Sequence, residues 1–384
     1  MHRNPHITKN ICFVVATPSS AESFLKDHIK ALSQSYNIYL AADYTNYPDF
    51  HLDGLKGIYH FPISRQISIK RDMQAVKALA DYFRKMKFDA VHSVTPKAGL
   101  ITALAGKLAG IKHRTHIFTG QVWATKTGKM RTLLKSIDKL IVGLDNHILV
   151  DGEAQRQFLI KEGVLSEKNS RVLGAGSICG ANTERFTPSE DVRKQQRKEL
   201  NIPEDAVVYS FMGRLNRDKG IYELLGSFNA VAPDYPNAYL LIFGSDEENC
   251  MSDLSGYVNI KPGVNFQYYG KTSTPELSLQ ASDVFCLPSY REGFGMSVVE
   301  ASCLGIPVIC SDAYALADTM VDNETGLRCK VKDFDTLEKA MVYFYNHPEE
   351  RKRMGENGRK RVLELFPGEK IVQAWYNFYK EILE

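Results

Sequence analysis

Four charged side chains in the carboxyl half of the chain stand where a polyphosphate and the group attached to it could be held. Arg214 and Lys219 follow the apolar run "VVYSFMG" (207–213) within "VVYSFMGRLNRDKGIYELLGSF", just ahead of a segment with helical periodicity. A guanidinium and an ammonium at a strand end, beside the backbone N–H groups of a helix start, favour a polyanion such as a diphosphate. A basic surface loop has the same composition, so this segment alone leaves both readings open. Glu292 and Glu300 lie eight positions apart in "SYREGFGMSVVEASCLGIPVICSD" (289–312). Glu292 falls in a loop whose Gly293 and Gly295 allow close backbone approach to a ligand, and a helix is expected from about Met296. Glu300 then sits one turn into a helix made otherwise of Val, Ala and Leu, where an ionised carboxylate is costly unless paired or facing a ligand. The alternative is a solvated loop acid and a first-turn acid gaining about 0.3–1 kcal/mol from the helix dipole.

The elements that must position these groups are legible as alternation. Short β-branched and aromatic runs alternate with amphipathic segments in both halves of the chain. The first half offers strands at 10–17, 36–42, 88–94, 114–119, 147–150 and 171–176, the second at 207–213, 238–244, 265–270, 284–289, 307–311 and 326–331. Runs apolar on both faces suit a parallel sheet covered by helices. Two doubly wound α/β domains follow, since 384 residues exceed what one compact core holds. Residues 177–200 turn polar and lose periodicity, which predicts a linker near 180–195. Helices are expected over 335–366 and 368–384, separated by Pro367 and Gly368. Ligands of open α/β sheets sit beyond the carboxyl ends of the strands, where both charged segments fall.

The pair "GRLNRDKG" (213–220) and "SYREGFGMSVVEA" (289–301) resembles the donor-site signature of glycosyltransferase family 4, whose paired-glutamate motif matches Glu292 and Glu300. The order around it, "FQYYGKTSTPELSLQASDVFCLPS" before and "GIPVICSDAYALADTMVDNETGLRC" after, is similar too, and the resemblance covers nearly the whole chain. It implies a retaining enzyme of GT-B fold, two Rossmann-like domains facing a central cleft. The acceptor-binding domain would span 1–182, the donor-binding domain 183–364, and a helix over 365–384 would cross back to the first domain. By the same resemblance Arg214 and Lys219 hold the diphosphate of a nucleotide-sugar, Glu300 accepts hydrogen bonds from ribose hydroxyls, and Glu292 contacts hydroxyls of the transferred sugar. Gly213, Gly293 and the backbone N–H groups of Phe294, Gly295, Met296 and Ser297 approach the sugar and phosphates, and Lys271 in "YYGK" lies near the base, with a UDP-sugar as the expected donor. Leaving-group departure develops negative charge on the diphosphate, so fixed cations there supply much of the stabilisation. That chemistry needs no metal and no other cofactor, and "DFD" (333–335) reads as a helix N-cap cluster instead.

In the first half, many members of that family carry a Gly-Gly loop where this chain has "ATPSSAESFL" (16–25). Thr17 and its neighbours could present hydroxyls to the diphosphate, and a plain N-cap explains them equally well. "VTPKAGLITALAGKLAGIKHRTHIFTGQVWAT" (94–125) resembles the enzymes that build capsule, O-antigen and related glycans on a polyprenyl carrier. It puts Lys97 on the acceptor side and offers either His116 or Thr119 for the position where relatives use a histidine. A satisfied strand histidine is the competing reading of His116.

Charge is divided unevenly: residues 1–185 carry 26 Lys and Arg against 15 Asp and Glu (net +11), residues 186–384 carry 22 against 30 (net −8). "KTGKMRTLLKSIDKLIVGL" (126–144) spaces Met130, Leu133, Leu134, Ile137, Leu140 and Ile141 helically, with Lys126, Lys129, Arg131, Lys135 and Lys139 around them and Asp138 as the only acid. Such a helix fits an anionic membrane surface, where a lipid-diphosphate acceptor would lie; a helix packed on the sheet with a solvated basic face fits too. Seven cysteines, odd in number and without C-x-x-C, fit a reducing cytoplasm and argue against structural zinc. No apolar run reaches the roughly 18 residues of a membrane span and the N-terminal stretch lacks a leader's apolar segment, so a cytoplasmic protein, peripheral at the inner face of the membrane, is expected. Aromatics are not interleaved with cations, so nucleic acid is not an expected partner. The reading is a transferase moving a hexose or N-acetylhexosamine from a UDP-sugar to a polyprenyl-diphosphate-linked sugar. Its alternatives are a nucleotide-sugar epimerase of similar fold and a non-enzymatic nucleotide-sugar binder.

Overall fold

The computed structural model describes residues 9–63 and 68–384, and most of the N-terminal stretch read for a leader lies outside the described residues. The chain divides into two compact units, one running to Cys179 and resuming over Gly368–Glu384, the other Gly180–Pro367. In the first, the strands are β1 (Asn10–Val14), β2 (Asn37–Ala42), β3 (Leu55–His60), β4 (Ala90–Val94), β5 (His113–Phe118), β6 (His147–Val150) and β7 (Arg171–Val172). They form one parallel sheet in the order β3-β2-β1-β4-β5-β6-β7. In the second, β8 (Val207–Met212), β9 (Ala238–Phe243), β10 (Phe266–Gly270), β11 (Val284–Leu287), β12 (Val308–Ser311) and β13 (Gly326–Cys329) form another, in the order β10-β9-β8-β11-β12-β13.

Both sheets are buried on both faces, which is why their strands read as continuous apolar runs. Along β1, Ile11 and Phe13 enter one core with Ile29 and Trp375, while Cys12 and Val14 enter another with Leu79 and Phe83. Along β8 and β9 the same alternation sends Tyr209, Phe211, Leu240 and Ile242 to one side and Val208, Leu241 and Phe243 to the other. Each sheet is therefore doubly wound, with strand order reversing between β1 and β4 and between β8 and β11.

Three sequence expectations are corrected. β3, "LKGIYH", escaped the reading because it is an edge strand whose Lys56, Gly57 and His60 break the apolar pattern. β7 is shorter than 171–176 because Gly174 and Gly176 take φ of +59° and +98° directly after it. The polar segment 180–195 is not a free linker: Ala181 and Phe186 are buried in the core of the second unit, and the helix Glu190–Glu199, N-capped by Ser189, begins within it. Its polarity instead serves ion pairs, since Arg193 and Arg197 both grip Asp283 at 2.6 Å ahead of β11. The "DFD" cluster does cap a helix, Asp333 accepting from the Thr336 N–H at the start of Phe334–Asn346.

Candidate functional site

The reversal of strand order in the second unit brings the two charged segments side by side. β8 and β11 are neighbours, and beyond their carboxyl ends lie residues 213–220 and 288–295. The first loop closes in the 3-10 turn Arg217–Lys219, which Asn216 caps by accepting from the Lys219 N–H. Gly220 follows at φ +70°, where a Cβ would lie 2.1 Å from the Pro288 carbonyl oxygen, so only glycine lets the loops come this close. The Tyr290 N–H donates to the Asp218 carbonyl at 2.8 Å, and Arg291 Nε to the Asp218 carboxylate at 2.9 Å. Tyr290 Oη donates to the buried Glu223 carboxylate at 2.6 Å. Between these contacts Lys219 Nζ meets Glu292 Oε1 at 2.6 Å, with the two side chains only 20% and 10% exposed. Two residues that the family resemblance assigned to one ligand are thus in direct contact.

Arg214 is also held by an acid: its Nη1 is 3.2 Å from both carboxylate oxygens of Glu247, which also accepts from Asn216 Nδ2 at 3.0 Å. Gly213 ends this strand, its N–H donating to Phe243 and its carbonyl so close to Gly244 that a Cβ there would lie 1.6 Å away. On the other side the helix Met296–Cys303 starts from Gly295, whose φ of +92° no L side chain adopts comfortably, and no side chain caps it. A helix start without a capping side chain is the kind of end that attracts an anion, and here it adjoins half-buried Gly293, Met296 and Ser297. Phe294 serves differently: it is buried, its ring edge-on against Phe366, and anchors the loop.

Glu300 is half-buried, and its carboxylate has no hydrogen-bond partner among the described residues. Burial pushes its pKa up to about 7, with Arg185 pulling it down and Glu276 pushing it further up. Those two residues pair with each other at 2.6 Å, and Arg185 also donates to the Ser273 carbonyl. Lys271 is exposed after β10, near Tyr268, whose hydroxyl donates to the Gly244 carbonyl. Glu247, Asp218, Arg291 and Arg185 went unnoticed in the sequence. Asp218 and Arg291 stand inside the two charged segments, but no spacing announces a contact across 73 positions; Glu247 and Arg185 carry no pattern at all.

The first-unit candidates are spread over separate strand ends. Thr17 precedes the short helix Pro18–Phe24, and its hydroxyl contacts those of Ser19 and Ser20 rather than capping a backbone N–H. Lys97, in the first turn of Pro96–Ala109, pairs with Asp72 at 2.8 Å. Thr119 is half-buried just past β5. His116 is 1% exposed within β5, hydrogen-bonded through Nδ1 to Ser93 and packed so tightly against Gly99 that a Cβ there would lie 2.5 Å from the ring. Burial lowers its pKa to about 3, so it is a neutral histidine within the sheet layer.

The basic helix is Gly128–Leu144, and two features of its expected surface are corrected. Asp138 is not on the solvent face: it is buried, accepts from Trp123 Nε1 at 2.7 Å, and burial raises its pKa to about 6. Arg131 and Lys135 are not free cations, since both pair with Glu162 and lie over the Trp123 ring. Lys126, Lys129 and Lys139 are exposed, as are Met130 and Leu133, each 50% exposed, and Leu140.

Comparison with known proteins brings a consistent set of likenesses. Residues 192–361 match the family model described as glycosyl transferases group 1. The chain is 30% identical over 323 residues to the Staphylococcus aureus capsular polysaccharide biosynthesis glycosyltransferase CapM, covering 84% of each chain. It is 25% identical over 303 residues to the Escherichia coli UDP-Gal:alpha-D-GlcNAc-diphosphoundecaprenol alpha-1,3-galactosyltransferase, covering 77% of this chain and 76% of that one. Among solved structures it resembles sucrose-phosphate synthase from Thermosynechococcus elongatus, with a TM-score of 0.81 at 21% identity over 97% of this chain and 99% of that one.

Proposed function

The chain belongs to the glycosyl transferases group 1 family and has the GT-B fold, and from that premise we propose that it moves a hexose or N-acetylhexosamine from a UDP-sugar to a sugar carried on a polyprenyl diphosphate, with retention of configuration. The observation that carries the donor half of this reading is the Lys219–Glu292 contact at 2.6 Å beside an uncapped helix start. A cation for a leaving diphosphate and an acid for sugar hydroxyls adjoin at one strand-order reversal. Lys219 and Arg214 take the diphosphate, releasing Glu292 and Glu247 from their present pairings. Glu292 then accepts hydrogen bonds from the transferred sugar, Glu300 from the ribose, and the backbone N–H groups from Phe294 to Ser297 meet the phosphate and sugar oxygens.

In the reaction the bond from the anomeric carbon to the diphosphate oxygen breaks, and the pair of electrons leaves with that oxygen. The acceptor hydroxyl oxygen bonds to the same face of the anomeric carbon, and its proton passes to the departing phosphate. Arg214 and Lys219 stabilise the charge that develops on the leaving group, so this chemistry calls on no metal ion. The acceptor half rests on the E. coli relative, which by its name acts on a diphosphoundecaprenol-linked sugar, and on CapM, which by its name serves capsular polysaccharide biosynthesis. Among the described residues no helix is long and apolar enough to cross a membrane. Contact with an anionic bilayer at the inner face of the membrane is assigned to the helix Gly128–Leu144, whose exposed Met130 and Leu133 stand beside exposed Lys126 and Lys129.

The test is transfer from a panel of UDP-, GDP- and ADP-sugars to polyprenyl-diphosphate-linked acceptors, with the anomeric configuration of the product read by NMR. Glu292→Gln and Lys219→Ala are each expected to lower the rate by about a hundredfold or more, while circular dichroism and the melting temperature stay close to the parent's. Rates within a few-fold of the parent would show the site to be elsewhere. An isomerised sugar nucleotide formed without acceptor would replace the transferase reading by an epimerase.

A further inference from the structure

We propose that Asp218 and Arg291 are positioning residues that lock the two site loops in register and so aim Lys219 at the diphosphate and Glu292 at the sugar. The proposal rests on the donor-site reading above. Lysine and glutamate side chains are long and lose much rotamer entropy when fixed, and an isolated pair near the surface holds little geometry on its own. Here the Lys219–Glu292 pair is one rung of a ladder. Gly220 touches the Pro288 carbonyl on one side of it. On the other, Asp218 receives two consecutive residues, its carbonyl the Tyr290 N–H at 2.8 Å and its carboxylate the Arg291 Nε at 2.9 Å. Tyr290 is itself pinned, its hydroxyl donating to buried Glu223 and its ring lying 4.8 Å beneath the Lys332 ammonium.

A carboxylate next to a diphosphate site is otherwise a poor choice, because its charge repels the ligand. The Arg291 guanidinium offsets that charge, and the planar group accepts only a narrow range of directions, which makes the pair a better ruler than a lysine would be. Because every rung joins the protein's own groups, the ladder lets folding itself order both loops, which is the condition for tight recognition by few groups.

This gives a test whose sign separates positioning from plain electrostatics. UDP is titrated calorimetrically into the full chain and its variants, with melting temperatures recorded for each. Positioning predicts that Asp218→Ala, although it removes a like charge, weakens UDP binding by about fivefold, the ratio that one partly exposed charge-assisted contact provides. Arg291→Ala does the same, and the double variant is no weaker than either single one. In a Lys219→Ala background Asp218→Ala costs nothing further, because the group it positions is gone. The reversed pair Asp218→Arg with Arg291→Asp recovers affinity. Tighter or unchanged binding by Asp218→Ala overturns the proposal, as does an equal loss in the Lys219→Ala background, which is the mark of a merely structural role. Failure of UDP to bind the parent, or binding unaffected by Lys219→Ala alone, strikes instead at the donor-site reading.

Discussion

Burial holds the Glu300 carboxyl near pH 7, inside the working range of a cellular enzyme, and that gives the site a pH dependence of definite sign. With its pKa raised, Glu300 is mostly protonated near pH 6 and ionised near pH 8. The ionised form offers each of two vicinal hydroxyls its own charge-assisted acceptor oxygen, whereas protonation turns one of those oxygens into a donor and weakens the other. The KM for the donor should therefore fall as pH rises, by about tenfold between pH 6 and pH 8 if the ionised form alone binds. Glu300→Gln should flatten this dependence; a parent KM that is level or rises over the same range would take Glu300 away from the ribose. Residue chemistry was only partly open to sequence reasoning. The acids and cations of the proposed donor site are visible because they interrupt apolar runs. That Lys219 holds Glu292 and Glu247 holds Arg214 is not visible, since each pairing depends on loops that strand order alone brings together.

At the scale of elements, the two loops beyond β8 and β11 depend on one backbone position. Gly220→Ala places a Cβ against the Pro288 carbonyl at a φ that disfavours any side chain, and one loop must withdraw. We expect the second unit to lose about 1–3 kcal/mol of stability and transfer to fall to the level of Lys219→Ala. Urea unfolding and the transfer assay read the two effects; normal activity would mean that the loops tolerate separation. The helix Gly128–Leu144 makes the complementary point, since its periodicity is legible but its partners are not. Trp123, Asp138 and Glu162 take up the side of the helix that holds Arg131 and Lys135, leaving Met130, Leu133, Lys126 and Lys129 exposed. Met130→Asp with Leu133→Asp should weaken sedimentation with anionic vesicles by about tenfold or more, whereas Arg131→Ala should matter little. Equal effects from both would point to bulk charge rather than this face. Strands were legible where both faces are buried, as in β1, β8 and β9, and least so at the edge strand β3, where half the residues meet water.

At the scale of the molecule, the helix Gly368–Leu383 belongs to the unit that the chain left at Cys179. Its Trp375 stacks on His28 at 4.1 Å and on His92 at 4.9 Å, and its Tyr379 hydroxyl meets His92 Nδ1 at 2.7 Å. Burial lowers the pKa of His28 to about 4 and that of His92 well below its ordinary value, so both rings are neutral and pack as flat apolar plates. Groups with lowered pKa values favour the fold at neutral pH and withdraw that support as pH falls from about 6.5, where the unfolded chain takes up the protons, toward 4. Trp375→Ala should destabilise the first unit by about 3–5 kcal/mol, seen as a lower first transition in calorimetry with the second unit unmoved. A single transition shifted as a whole would mean that the units melt together. The amphipathic pattern of 368–384 was plain in the sequence, but the face that Trp375 covers, with Phe13, His28 and His92 lying 362, 347 and 283 positions earlier, was not.

That arrangement sets an order of events on the ribosome. The β1 face carrying Phe13, with His28 and His92 beside it, is translated early, yet the tryptophan that covers it is translated only after the whole of Gly180–Pro367. At about 5–20 residues per second the open apolar face persists for tens of seconds, ample time for chaperone capture or misassociation. Nascent chains stalled at Pro367 should therefore hold a chaperone at the first unit, and release it once residues 368–384 have emerged.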